Sequence, residues 1–155
     1  MNAIAEISDK IIESTIEIFT SMVMMDISVA GDLMQKIGPL KQSITGMVGL
    51  AGTHKGVMAV HFPNQIAQDV TSSFLGMEVN DINEDVQDAI GEIANMLGGN
   101  LKTILSDRGR DIQLSLPSTI SGDQYSFSSQ ADADQVIIPF QAPSGIFYVE
   151  VELER

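Results

Sequence analysis

Apolar residues recur in the second half of the chain at Val86, Ile90, Ile93, Leu97, Leu101 and Ile104. At about 100° per residue these positions fall in one narrow stripe, so a long helix is predicted over 84–106, opened by Asn83. A helix takes most of its stability from packing such a stripe, so the rest of the chain must supply an apolar surface. The C-terminus offers one. Phe147, Val149, Val151 and Leu153 alternate with Tyr148, Glu150, Glu152 and Glu154, the period-two pattern of a strand with one apolar face.

The remaining elements follow from the same two periods. Ile7, Ile11, Ile18 and Met22, with Ile12, Ile16, Phe19 and Val23 beside them, predict a helix over 7–24. Ser8 and Asp9 are its expected caps, and Met22, Met24 and Met25 are expected to fill core. Strands are predicted at 43–51 and 57–62, joined into a hairpin by the turn at 52–55. Asn64 is placed to cap a short helix that runs through Leu75 and stops at Gly76. A charged turn at 107–111 leads to a strand holding Ile112, Leu114 and Leu116, stopped or bent by Pro117. Residues 121–135 read as a loop, or as a hairpin holding Tyr125 and Phe127. A strand at 136–140 follows, in which Pro139 marks an edge or a bulge. The order α-β-β-α-α-β-β-β defines an α+β fold, an antiparallel sheet with helices packed on it. A chain of 155 residues suits a single domain over 1–155. A faint pseudo-repeat runs through it. Asp9, Glu13 and Ile16 have the same spacing as Asp88, Glu92 and Asn95, and Pro39 and Pro117 follow the two sets at nearly equal distances.

Composition excludes several functions. The chain has no Cys, so disulfides, thiol catalysis and thiolate metal sites are absent. Eight Lys and Arg against 21 Asp and Glu give a formal net charge of -13. That balance opposes nucleic acid and anionic membrane surfaces, both of which need clustered cations. No apolar run is long enough to span a bilayer, and the N-terminus lacks the pattern of a signal peptide, so a cytoplasmic location is expected.

Asp88, Glu92 and Asn95 lie together on the long helix, nearly opposite the apolar stripe. Two features of this face oppose stability. Asp88 and Glu92 are like charges one turn apart, and Gly91, Gly98 and Gly99 interrupt a helix that Ala would favour by roughly 1 kcal/mol each. Gly91 and Gly99 flank the polar trio, and small residues there would let another backbone approach. An ordinary solvated helix face has the same spacing.

Asp88-(AIG)-Glu92-(IA)-Asn95, followed at the required distance by Pro117, resembles the signature of the CheX/CheC/FliY family of chemotaxis phosphatases. The run GEIANMLGGN is similar to that family's central helix. A single intact copy of the motif is closer to the CheX branch, since Ile16 stands where the first copy would carry its Asn. The resemblance implies a phosphatase acting on a phosphorylated CheY-like receiver domain. Catalysis would fall to Glu92 and Asn95: Asn95 orienting the attacking water, Glu92 pairing with the receiver's Lys. Asp88, Gly91 and Gly99 would bind the partner, and Pro117 would shape the chain near the site. The enzyme would need no cofactor or metal of its own, with Mg2+ carried by the receiver, and would form a homodimer. The Tyr148-bearing terminal strand, or another sheet edge, is the expected dimer contact.

Two further functions compete. A receiver-docking adaptor or flagellar-switch component could use the same fold without catalysis. An unrelated ligand-binding α+β domain would need a closed apolar pocket instead of an exposed helix face. His54 and His61 do not form a metal-ligand pattern and are expected to be exposed or hydrogen-bonded. Asn100 is expected to be structural.

Overall fold

The expected helix and sheet meet face to face in the computed structural model, which describes residues 3–106, 110–128 and 132–154. The elements are α1 (Ala3–Ile18), a π-helical turn (Phe19–Val23), β1 (Ser28–Val29), β2 (Leu40–Gly52), β3 (Gly56–Pro63), α2 (Asn64–Leu75), α3 (Glu84–Leu105), β4 (Ile112–Leu114), β5 (Ser118–Tyr125), β6 (Ala133–Ala142) and β7 (Gly145–Glu154). The strands form one sheet in the order β1-β6-β7-β3-β2-β4, with β5 also paired to β2. Every pairing is antiparallel. The α+β class therefore stands, with β1 and β5 added to the expected order.

This order embodies the pseudo-repeat. The hairpins β2–β3 and β6–β7 meet at the central β3–β7 pair. The strands that follow α1 and α3 each cross to the other half, β1 onto β6 and β4 with β5 onto β2. One consequence is a correction. β7 lies in the middle of the sheet, so the Tyr148 strand has no free edge to offer a second copy. Pro139 does sit near an edge. Its carbonyl accepts from Ala30 on the outer side of β6 at 2.9 Å. The N–H it lacks would point the same way, so the ladder to β1 is short there.

One face of the sheet carries the core. Ile44, Val48, Val60, Phe62, Phe140, Phe147 and Val149 pack beneath Ile11, Phe19, Ile90, Ile93 and Leu97. Phe147 is the aromatic centre, with ring centroids 5.1 Å from Phe19 and 4.8 Å from Phe62. α3 lies unusually close to β2. A Cβ on Gly98 would stand 2.5 Å from Val48 Cγ2, and one on Gly46 would stand 2.8 Å from the Ile90 carbonyl oxygen. Gly98 is thus explained by packing, and its cost in helix propensity is offset by a closer helix–sheet contact.

Several local expectations are revised. α1 starts earlier than expected, so Ser8 is an interior residue whose hydroxyl donates to the Ile4 carbonyl at 2.8 Å, and Asp9 is mid-helix and exposed. The π turn shifts the register at its end. Phe19 and Val23 stay buried, while Met22 and Met24 turn outward at 52% and 72% exposure, and only Met25 packs against the core. Asn64 does not cap α2: Pro63 occupies that position, and Asn64 Oδ1 has no partner among the described residues. Gly76 closes α2 as expected, in the left-handed region at φ 69. Leu116 falls outside β4 and is 87% exposed. Of the charged turn at 107–111, residues 107–109 lie outside the described residues.

The largest revision concerns the second face of the sheet. Glu150 and Glu152, on the polar side of the expected strand, are only 1% and 7% exposed. The connections β1–β2 and β5–β6 join opposite sides of the sheet, and Phe127 from the latter stands edge-on over His61 with centroids 4.9 Å apart. Beneath it runs a buried polar chain. A carboxylate can only accept, so His61 Nε2–H donates to Glu150 Oε1 at 3.0 Å. His61 Nδ1 then accepts from the Thr45 hydroxyl at 2.7 Å, which accepts from the Tyr125 hydroxyl at 2.8 Å. Every member of this chain has a partner, whereas Glu152 Oε1 has none among the described residues.

Burial, then a hydrogen bond to Glu150 and its charge, push the Glu152 carboxyl up to about 7. In the unfolded chain it ionises near the ordinary value of about 4.3. Between the two values the folded state holds the extra proton, so stability falls as pH rises through that window. The urea midpoint is expected to drop from about pH 4.5 to pH 7 through this group, and Glu152→Gln should flatten that slope. An unchanged slope in the variant would remove Glu152 as its source.

Candidate functional site

α3 places the candidate residues. Asn83 caps it, its side chain accepting from Val86 N at 3.1 Å, and Val86, Ile90, Ile93, Leu97 and Leu101 are buried against the sheet. That contact fixes the rotation of the helix and turns the opposite strip outward. Asp88 and Glu92 are exposed and Asn95 is half-buried. Among the described residues, no hydrogen bond or ion pair engages their side chains. Asn95 has no side-chain partner, yet it is not among the residues with orphaned buried polar atoms, so its amide is open to solvent. An acid and an amide therefore stand on a rigid rod with their hydrogen-bonding capacity unspent.

The flanking residues separate by role. Pro117, exposed, has its ring against α3: a Cβ on Gly91 would meet Pro117 Cβ and Thr119 Cγ2, both at 3.7 Å. Gly91 is buried there, while Gly99 has nothing within 4 Å of its absent Cβ and lies beside open space. The chain before Pro117 is pinned by Ser115, whose hydroxyl accepts from Gly49 N at 2.8 Å and donates to the Leu116 carbonyl at 3.0 Å. Gln87, Asp88, Gly91, Glu92, Pro117 and Thr119 line an open groove of about 380 Å³. Thr119 was not legible as a site residue, because its place depends on β5 pairing with β2 below α3; Gln87 was missed although it lies on α3 beside Asp88.

The first copy of the motif is arranged similarly but lacks the amide. Asp9 and Glu13 are exposed on α1, and Ile16 is packed against the core where an amide would stand. His61 belongs to the buried chain and His54 is half-buried in its turn; Asn100 is half-buried on α3. No group of three or more His, Asp or Glu among the described residues is placed to hold a metal ion. No helix among them is long and apolar enough to cross a membrane.

An acid–amide pair on an open helix face that no cavity encloses can engage another macromolecule's surface more readily than an enclosed small molecule. The family model described as chemotaxis phosphatase CheX matches residues 44–141. The chain belongs to the CheX chemotaxis phosphatase family. A CheY-P phosphatase CheX from Thermotoga maritima is 30% identical over 91 residues, 58% of this chain and 59% of that protein, so the match spans less than two thirds of that relative. A CheX crystal structure from Desulfovibrio desulfuricans is 31% identical with a TM-score of 0.84, covering 96% of this chain and 99% of the other. A chain of the Borrelia burgdorferi CheX–CheY–BeF3–Mg2+ complex shares the fold at a TM-score of 0.80 and 21% identity, covering 96% of this chain and 97% of that one.

Proposed function

We propose that this protein hydrolyses the aspartyl phosphate of a CheY-like receiver domain, with Asn95 and Glu92 as the residues that enter the receiver's reaction centre. The observation that carries this is the unpartnered acid and amide on the outer strip of α3. The Thermotoga relative is named as a CheY-P phosphatase, and the Borrelia structure holds CheX with CheY, BeF3 and Mg2+. Water attacks phosphorus, the bond from phosphorus to the aspartyl oxygen breaks, and the products are inorganic phosphate and a free carboxylate. The receiver brings Mg2+ and a Lys to this step, so what this chain adds is positioning. The Asn95 amide oxygen accepts from the attacking water and its NH2 donates to a phosphoryl oxygen. Glu92 pairs with the receiver's Lys and fixes the approach. The homodimer implied by the family would form through an outer sheet edge, where β5 has one side free of β2.

The test is direct. Wild-type protein mixed with a panel of phosphorylated receivers should accelerate loss of the acyl phosphate from at least one of them. Acceleration of none would favour the adaptor function on the same fold. Glu92→Ala should weaken binding as well as rate, and undiminished binding would remove the Lys as its partner.

A further inference from the structure

Of the groove beside the acid–amide strip the chemistry above uses only Glu92, and three features describe what the rest of it would hold. The first is Gly91. Unlike Gly98, it is not required by packing, because an added methyl would meet Pro117 and Thr119 at ordinary contact distance, 3.7 Å. Ala would favour the helix, so the glycine keeps the groove floor low at a cost in stability. The second is charge. Asp88 and Glu92 repel each other across one turn, and no cation among the described residues pairs with either. The third is the facing wall, the Pro117 ring beside Thr119, whose hydroxyl makes no side-chain hydrogen bond among the described residues.

A long cationic side chain matches all three. Its methylene stem would lie along Pro117 over Gly91, and its head would reach the Asp88 carboxylate, with Thr119 and Gln87 as further acceptors. We propose that the groove seats a second cationic side chain, Arg or Lys, from the surface of the receiver, held by Asp88 while Glu92 takes the first. This rests on the phosphatase function proposed above and assigns Asp88, Gly91 and Thr119 to partner selection. The preferred receivers are those presenting two cations spaced for carboxylates one helical turn apart, roughly 5–6 Å at Cβ.

The experiment measures binding of a BeF3–Mg2+-loaded receiver and turnover of the same receiver as its phosphate, with wild type, Asp88→Asn, Gly91→Ala and Asn95→Ala. Asp88→Asn and Gly91→Ala should each raise Kd and KM about 5-fold with kcat within about twofold, the size of an exposed pair or a lost close contact. The Asp88→Asn deficit should shrink at about 0.5 M salt, because it is a screened charge effect, and the steric deficit of Gly91→Ala should persist. Gly91→Ala should melt no lower than wild type, which separates a filled groove from a damaged fold. Wild-type Kd and KM in both groove variants, with Asn95→Ala inactive, would overturn the groove alone. Wild-type turnover by Asn95→Ala would overturn the assigned reaction geometry and the groove that rests on it, and no receiver bound by the wild type would overturn the phosphatase function and the groove together.

Discussion

Asn95→Ala is expected to slow receiver dephosphorylation by about 100-fold or more while leaving the fold intact. Removing one well-placed hydrogen-bonding group from a reaction centre typically costs two to three orders of magnitude in kcat. Here the amide is expected to contribute two bonds at once, one to water and one to a phosphoryl oxygen. The side chain has no partner among the described residues, so its removal leaves no buried group there unsatisfied, and stability should change little. Asn95→Asp is the informative companion. It keeps the shape but places a negative charge where phosphoryl oxygens gather, so it should be as slow as the alanine variant. Single-turnover rates with a phosphorylated receiver would measure both. Turnover within a few-fold of wild type by the alanine variant would end Asn95's assignment to water.

His61→Ala is expected to destabilise the protein by about 3–5 kcal/mol, the cost of leaving a buried charge without its partner. Glu150 is 1% exposed and accepts from His61, and Glu152 stands two residues away on the same face of β7. Losing the imidazole removes one of the donors to Glu150, opens a cavity below Phe127, and leaves the Thr45 hydroxyl without its acceptor. Glu150→Leu in the same background should recover most of the loss, since an apolar replacement removes the unpaired group. Urea denaturation of the two variants tests this, and a loss below about 1 kcal/mol in His61→Ala would show that Glu150 finds another partner.

Most of the candidate site was legible before any coordinates. The stripe from Val86 to Ile104 and the strip of Asp88, Glu92 and Asn95 are both local to one helix, and helical period alone assigns them to opposite sides. The core-facing side of β7 was equally plain, since Phe147, Val149, Val151 and Leu153 announce it by alternation. The outward side was misjudged. A Glu at every second position reads as a solvated face, and what covers it comes from segments far along the chain. β5 was missed for a related reason. Its sequence, STISGDQY, has little apolar alternation because it is an exposed edge strand held through backbone hydrogen bonds to β2.

The three helical glycines divide along the same line. By composition Gly91, Gly98 and Gly99 are alike, each a weak point in α3. Tertiary contact makes Gly98 a packing requirement against Val48, Gly91 the floor of a groove walled by Pro117 and Thr119, and Gly99 an open position. The sequence by itself determined the helix, its buried and outer strips and the α+β class, because each depends on periods within a few residues. Only the tertiary structure decided which strands have free edges, which carboxylates are buried and which glycine lines a groove, because those depend on distances between residues the chain brings together from afar.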